Sequence, residues 1–495
     1  MIKEIMENNE DESLAKLNHR NIEKKSRKKI ILSKRYLKSR WKHFLSQDKD
    51  GVLLIEGVSV KDLQKKYGTP LFILIEEEIR KKTREFIEAF NYAPFKMRYA
   101  CKCNSNLELL RIVREEGAEL DASSIGEIIL GLLADFLPEE INFTNLYKTK
   151  QDIMFAASVG VHSITLDSLE ELEKAIEVSE KLKKNIPILL RVNPMIKDGK
   201  FNTQHHQYGI PYSYIRRALE EIKKSNFLRL KGFHFHGSYA YNIRGYFLAT
   251  KKIIKLVKIA EKQGLKIEVI DLGGGFPVES PKALRPGKFF TPKEFGEKFI
   301  PFFRKICKKE KIRNITLIFE PGKSIVQNAG IGLIRIISNK KLNKKEILVT
   351  NSSCYSMFPD IFVSKCAYEI LPASRMMSHR THIYDIAGST CDCIDIIGKN
   401  ENMPKMASGD LLAVMDCGAY SSVMTSNFNS LKRAPTIIIN KEGKSKLVRR
   451  RDRFSEMFAP ELDVLKVADP KELKKLYDLS RLNVDKLWGD KESRL

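Results

Sequence analysis

Three groups of residues in this chain could do chemistry together. Lys102 closes a short apolar segment in the run Tyr99-Ala-Cys-Lys-Cys-Asn104. A lysine amine is a nucleophile only when neutral. Apolar flanking residues are expected to lower its pKa by desolvation, so that it condenses with an aldehyde such as that of pyridoxal phosphate. Asp271-Leu-Gly-Gly-Gly275 and Glu320-Pro-Gly-Lys323 close two further segments of the same kind. Glycines let backbone N–H groups approach a phosphate closely. A carboxylate such as Glu320 beside a pyridine nitrogen favours the protonated ring, the electron sink that stabilises a carbanion when CO2 departs. Singly, these features read as surface charge, a flexible turn and a salt-bridged acid. Their value lies in where the chain puts them.

The elements that must position them recur with regularity. Short β-rich segments are predicted at 96–104, 118–123, 141–145, 162–167, 186–194, 228–236, 267–275 and 315–322. Helical patterns lie between them, such as 106–116 with Leu107, Leu110 and Val113 at helical spacing. Another covers 168–184, opened by Ser168 with Glu171 three residues on, a capping box. Eight strands alternating with helices over roughly 230 residues predict an α/β fold, a closed (β/α)8 barrel of TIM type. An open doubly wound sheet would not call for eight. In such a barrel, functional groups gather at the C-terminal strand ends. Those ends carry Lys102, Asp121, Asn145, Asp167, Arg191, Asn193, His234 or His236, Gly273 to Gly275, and Glu320. The loops after strands seven and eight, where barrel enzymes often hold phosphate, are the glycine-bearing ones.

After about residue 330 the texture turns β-rich at IGLIRIIS, EILVTN, THIYDIAG, LLAVMDCG and PTIIIN, which predicts a second, mostly β domain. The segment GVLLIEGVSV (51–60) is strand-like and could pair with it. The expected organisation is a basic extension at 1–45, a strand-containing segment at 46–75, the barrel at 76–332, the β domain at 333–470 and a tail at 471–495.

Composition excludes several classes. A 495-residue chain that is 43% hydrophobic can bury a sizeable core in two domains. It has no run of about 18 uncharged apolar residues, so no membrane span is expected. MIKEIMENNEDE resembles neither a signal nor a transit peptide, and eight cysteines suit a reducing cytoplasm. Much of the net charge of +25 lies in Arg20 to Lys42, where Glu23 is the only acid. This reads as a solvated basic arm. Nucleic acid is not expected as a partner, because no recognisable binding motif accompanies the charge. Trp41 and Phe44 would let part of the arm pack. Cys101/Cys103 and Cys391/Cys393 lack structural-zinc spacing, so no metal is expected.

YACKCN (99–104), DASS (121–124), RVNP (191–194), FHFHGS (233–238), DLGGGFP (271–277), EPGKSIVQNAG (320–330), GSTCDCID (388–395) and GAYSS (418–422) stand in the order found in fold-type III pyridoxal-phosphate decarboxylases. That family includes the diaminopimelate, ornithine and arginine enzymes, and the resemblance runs from about Gly51 to about residue 465. It implies that Lys102 holds pyridoxal 5'-phosphate covalently and that Glu320 meets the pyridine nitrogen. Gly273, Gly274, Gly275, Gly322, Lys323, Ser238 and Tyr420 resemble phosphate contacts, with Tyr420 also at the substrate. His236 is favoured over His234 to stack on the ring. Cys391 resembles the residue that protonates the product carbanion, reaching in from the partner subunit of a homodimer with shared active sites. Asp392 resembles the residue that meets a distal amino group.

There are departures. Lys323 stands where the family usually has Arg, and the histidine motif is one residue short before Gly237. Cys391-Asp392-Cys393 is closer to the ornithine type than to the Cys-Glu-Ser of diaminopimelate enzymes. YGTPLFI (67–73), EPGKSIVQNAG and NSLKRAPTIII (429–439) are closer to the latter. Arg433 could offer a planar fork to a distal carboxylate. The expected reaction is therefore decarboxylation of a diamino acid, meso-diaminopimelate to L-lysine. The alternatives are ornithine or arginine, D-ornithine or D-lysine, or a non-catalytic regulatory relative.

Overall fold

Eight parallel strands close on themselves in the computed structural model, which describes residues 39–198, 201–237, 243–279, 290–343, 345–468 and 471. They are β1 (Phe95–Ala100), β2 (Glu119–Ala122), β3 (Ile141–Thr144), β4 (Ser163–Leu166), β5 (Ile186–Asn193), β6 (Leu228–His234), β7 (Val269–Asp271) and β8 (Thr316–Phe319). Each pairs in parallel with the next; β8 returns to β1, and β4 joins β5 to complete the ring. All eight strands expected from the sequence are present. Their apolar runs, Ile-Pro-Ile-Leu-Leu in β5 for example, suit strands covered by helices outside and packed inside.

The barrel interior is partly polar. Asn142 accepts from Ser163 Oγ at 2.5 Å and donates to Thr144 and Thr165 at 2.8 and 3.2 Å, so these buried groups satisfy one another. Outside the strands, helix Leu107–Glu115 is capped by Asn106, whose side chain accepts from the N–H groups of Glu108 and Leu109. Helix Leu169–Leu182 starts as expected at Ser168, which accepts from Glu171 N at 3.2 Å. The expected capping box is only half made. Glu171 turns instead to the N–H of Asp167 and to the fully buried ammonium of Lys148 at 3.0 Å, because an unpaired buried lysine would cost more than an uncapped amide.

Aromatic packing fixes one side of the barrel. Phe276, directly after the triple glycine, packs edge-on against Phe86, Phe295 and Phe319 with centroids 4.8, 5.3 and 5.3 Å away. Tyr246, on helix Ile243–Lys262, joins this cluster and donates its hydroxyl to Gly274 O. The glycine loop is thereby tied to a rigid core.

The chain divides into two compact units that interleave along the sequence. Among the described residues, the barrel unit contains those within 71–332, 354–369 and from 415 on; the other contains 39–70 and those within 333–353 and 370–414. The stretch 333–470 thus contributes to both. Strand Leu71–Ile75 pairs in parallel with Thr436–Ile439 within the barrel unit. In the other unit, Lys345–Thr350 and His382–Ala387 pair in parallel, and His382–Ala387 pairs antiparallel with Ile396–Met403. Residues 53–55 form a small sheet with Leu45–Gln47 and Val58–Ser59 in that same unit. Trp41 and Phe44 are buried. The rest of the basic arm, up to residue 38, lies outside the described residues.

Candidate active site

Lys102 sits in a short turn, Cys101–Cys103, immediately after β1. Gly322 lies against that turn. A Cβ there would stand 2.8 Å from Cys103 Cβ, so the close approach requires glycine. Ala100 N donates to Pro321 O at 3.0 Å, and Tyr420 N to Cys103 O at 2.9 Å. The side-chain amide of Asn104 reaches Gly418 O at 2.9 Å. The turn is held from both sides by segments distant in sequence. Tyr420 takes a left-handed conformation, φ 52°, to make its contact.

The Lys102 ammonium lies 3.1 Å from Asp121 Oδ2, at the end of β2. Its side chain remains 41% accessible, so a small molecule can reach it. Here the structure corrects the sequence expectation. Burial does pull the ammonium pKa down, but the charges of Asp121 and Glu320 outweigh it and the net shift is upward. Asp121 is itself raised by burial and by Glu320.

Glu320, buried at the end of β8, is held as the carboxylate: burial works against this, but His234 and Lys102 lower its pKa overall. Its Oε2 lies 3.3 Å from His234 Nε2, while its Oε1 is buried without a hydrogen bond. The backbone of the glycine loop is pressed against it. Glu320 N donates to Gly273 O at 2.9 Å, and a Cβ on Gly274 would stand 2.0 Å from Glu320 O. Gly273 and Gly275 have φ of 65° and 93°, which favours glycine. Gly274 N donates to His236 Nδ1 at 2.9 Å. His236 is kept neutral by burial and by the charges of Lys102 and Arg191, which lower its pKa to about 3.

The structure thus brings together Lys102, His234, His236, Gly273 to Gly275, Glu320, Gly322 and Tyr420, with Asp121. Of the other expected residues, several have partners of their own. Lys323 Nζ is 3.8 Å from Asp360, and Ser238 lies outside the described residues. Arg433 gives both its Nε (2.7 Å) and its backbone N–H (3.0 Å) to Asp452, which also receives Arg449. The guanidinium expected to offer a fork to a distal carboxylate thus has an acid of the protein as its partner. Cys391 is exposed and belongs, with Asp392, to the other compact unit. Asp392 Oδ1 accepts from Ile394 N at 3.2 Å. Asp167, Arg191 and Asn193 hold loops: Arg191 donates to Asp167 at 3.1 Å, and Asn193 to Thr203 O at 2.9 Å.

Sequence reasoning gave no role to Asp271 or Arg98. Asp271 was visible two residues before the glycines, and Arg98 as a charge inside an apolar strand. His234, Asp271 and Glu320 place ligand-capable atoms within 4.8 Å of one another.

This arrangement fits pyridoxal phosphate. A buried carboxylate oxygen without a donor suits a protonated ring nitrogen, an accessible lysine stands at the strand end on one side of it, and a loop only glycine can form follows the strand on the other.

The chain matches the family model described as pyridoxal-dependent decarboxylase, pyridoxal binding domain, over residues 76–327. It is 31% identical to the diaminopimelate decarboxylase of Methanothermobacter thermautotrophicus, covering 82% of this chain and 95% of that protein. It is 30% identical to that of Pseudomonas aeruginosa, covering 83% and 97%. The crystal structure of diaminopimelate decarboxylase from Methanocaldococcus jannaschii in complex with L-lysine superposes with a TM-score of 0.77. The identity there is 25%, covering 84% of this chain and 97% of that one.

Proposed function

Because this chain belongs to the pyridoxal-dependent decarboxylases, we propose that it removes the α-carboxylate of meso-diaminopimelate as CO2 and returns a proton to the same carbon, giving L-lysine. The observation that carries the decarboxylase reading is the buried, donor-less Glu320 Oε1 at the end of β8, with the glycine loop after β7 on one side and Lys102 after β1 on the other. When bound, the cofactor supplies the electron sink for the carbanion left by CO2. The residues do the rest. Lys102 Nζ must lose a proton before it can attack an aldehyde, and Asp121 Oδ2, 3.1 Å away with a raised pKa, is placed to take it. Glu320 keeps a negative charge where the ring nitrogen requires one. The glycine loop, anchored through Gly274 O on Tyr246, offers backbone to the phosphate. Cys391, carried by a partner subunit, returns the proton, and Asp392 meets the distal ammonium.

The choice of substrate rests on the two relatives named above as diaminopimelate decarboxylases. With Arg433 engaged by Asp452, that arginine does not by itself select a distal carboxylate. CO2 release from meso-diaminopimelate, L-ornithine, L-arginine, D-ornithine and D-lysine tests the proposal, and kcat/KM is expected to be highest for the first. A preference for another of these would move the substrate and leave the reaction in place. No CO2 from any would overturn both and favour a non-catalytic relative.

A further inference from the structure

The two histidines at the C-terminal end of β6 are bound to different things. His236 accepts the N–H of Gly274 at Nδ1 and is held by the glycine loop. His234, with no exposed surface, faces Glu320 through Nε2 at 3.3 Å. Asp271 stands between their strands, paired in register with His234 on β6 and with Ile318 on β8. Its Oδ1 accepts from Gly273 N at 2.9 Å, while Oδ2 is buried without a hydrogen bond. Arg98 Nη1 lies 4.0 Å from that Oδ2 and likewise has no hydrogen bond. The rest of the Arg98 guanidinium is committed to Glu119, with Nε and Nη2 each 3.1 Å from one oxygen. Glu119, Arg98, Asp271, His234 and Glu320 therefore form a continuous set of charged and polar groups running from the barrel interior to its top.

We propose that His234 is the positioning residue of this site: it occupies Glu320 Oε2 and so leaves Oε1 as the one oxygen turned to a ring nitrogen, with Asp271 and Arg98 as its buried backing. This deepens the reading in which Glu320 receives that nitrogen, and it rests on it. The physical case is one of charge and geometry. Two carboxyl groups this close cannot both ionise cheaply. Burial and Glu320 drive the Asp271 pKa well up, whereas Glu320 is lowered, so the negative charge is favoured on Glu320. An Nε2–H donor on Oε2 fixes the plane of the carboxylate, which a lone ionised glutamate at a strand end would not have. His236 cannot substitute, because its Nδ1 is held by the glycine backbone.

The test compares His234→Phe and His234→Leu, which fill space without a donor, with His234→Gln, which restores an N–H, and with His236→Phe. Two readouts need no substrate: the dissociation constant of pyridoxal phosphate, by absorbance titration, and the 15N chemical shift of its labelled ring nitrogen in the holoenzyme. The donor-free variants are expected to weaken the cofactor about tenfold. They should also move the nitrogen shift towards the unprotonated ring, while His234→Gln retains the parental signal. Either donor-free variant with a parental nitrogen shift would overturn the proposal. So would a loss of protonation in His236→Phe but not at His234, or in His234→Gln to the same extent as in His234→Leu. A parent protein that bound no pyridoxal phosphate would overturn the underlying cofactor reading instead, so the two failures are distinct.

Discussion

Lys102 takes its protonation state from residues its own strand does not contain. The apolar run before it argues for a depressed pKa, yet Asp121 and Glu320, delivered by the second and eighth strands, reverse the sign. Spacing along one segment cannot reveal that, because the opposing charges arrive only when the barrel closes. The lysine was legible in the sequence; its electrostatics were not. Lys102→Ala should abolish borohydride-dependent attachment of the cofactor and lower turnover by at least about a hundredfold, the scale of a lost acid–base group. Peptide mapping of the reduced parent should find the label on Lys102 alone. Label on any other lysine would end the assignment. His236 gives a pH signature. Its ordinary value near 6.5 falls to about 3 in the folded protein. An unfolded chain therefore takes up a proton as pH drops below about 6.5, and the folded state does not until about 3. This residue's contribution to stability is complete above 6.5 and declines between those values. His236→Gln should show a shallower fall in Tm across that window than the parent, and an unchanged slope would contradict the burial of a neutral imidazole.

Elements were the most readable level. The eight parallel strands are short, apolar and bounded by turn residues, and that pattern survives folding because burial on both faces demands it. Strand Ile396–Met403 escaped notice because Gly-Lys-Asn-Glu-Asn fills its middle and several of those side chains face solvent. The glycine loop was recognisable as a candidate phosphate loop, but its dependence on β8 was not. Gly274→Ala places a methyl carbon where the Glu320 carbonyl already sits. The two strand ends must separate, at a cost of about 1–3 kcal/mol typical of overpacking. The expected outcome is a folded protein of lower Tm whose affinity for pyridoxal phosphate falls more than its secondary structure does. Parental affinity would mean that the loop is looser than its contacts imply. Arg433 teaches the converse. A residue read as a fork for a distal carboxylate has a buried acid beside it, and Asp452 lies nineteen residues further along the sequence.

At the scale of the molecule, Cys391, the proton donor proposed for the product, and Lys102, the lysine proposed to hold the cofactor, belong to different compact units. Shared active sites in a homodimer predict complementation. Lys102→Ala and Cys391→Ala proteins, each nearly inactive, should recover part of the parental activity after subunit exchange, since one composite site in the mixed dimer carries both residues. No recovery after exchange verified by mass would place Cys391 within its own subunit's site or outside the reaction. The same interleaving bears on how the protein is made. A ribosome has released every barrel strand once residue 319 is clear, yet the turn bearing Lys102 still lacks Tyr420 N and Gly418 O, which cap it from a hundred residues further on. The nascent chain can thus close its cylinder early and keep an unfinished mouth until the last quarter is synthesised. Loading of the cofactor is then a late event in biogenesis, timed by the length of the message rather than by the folding of the barrel.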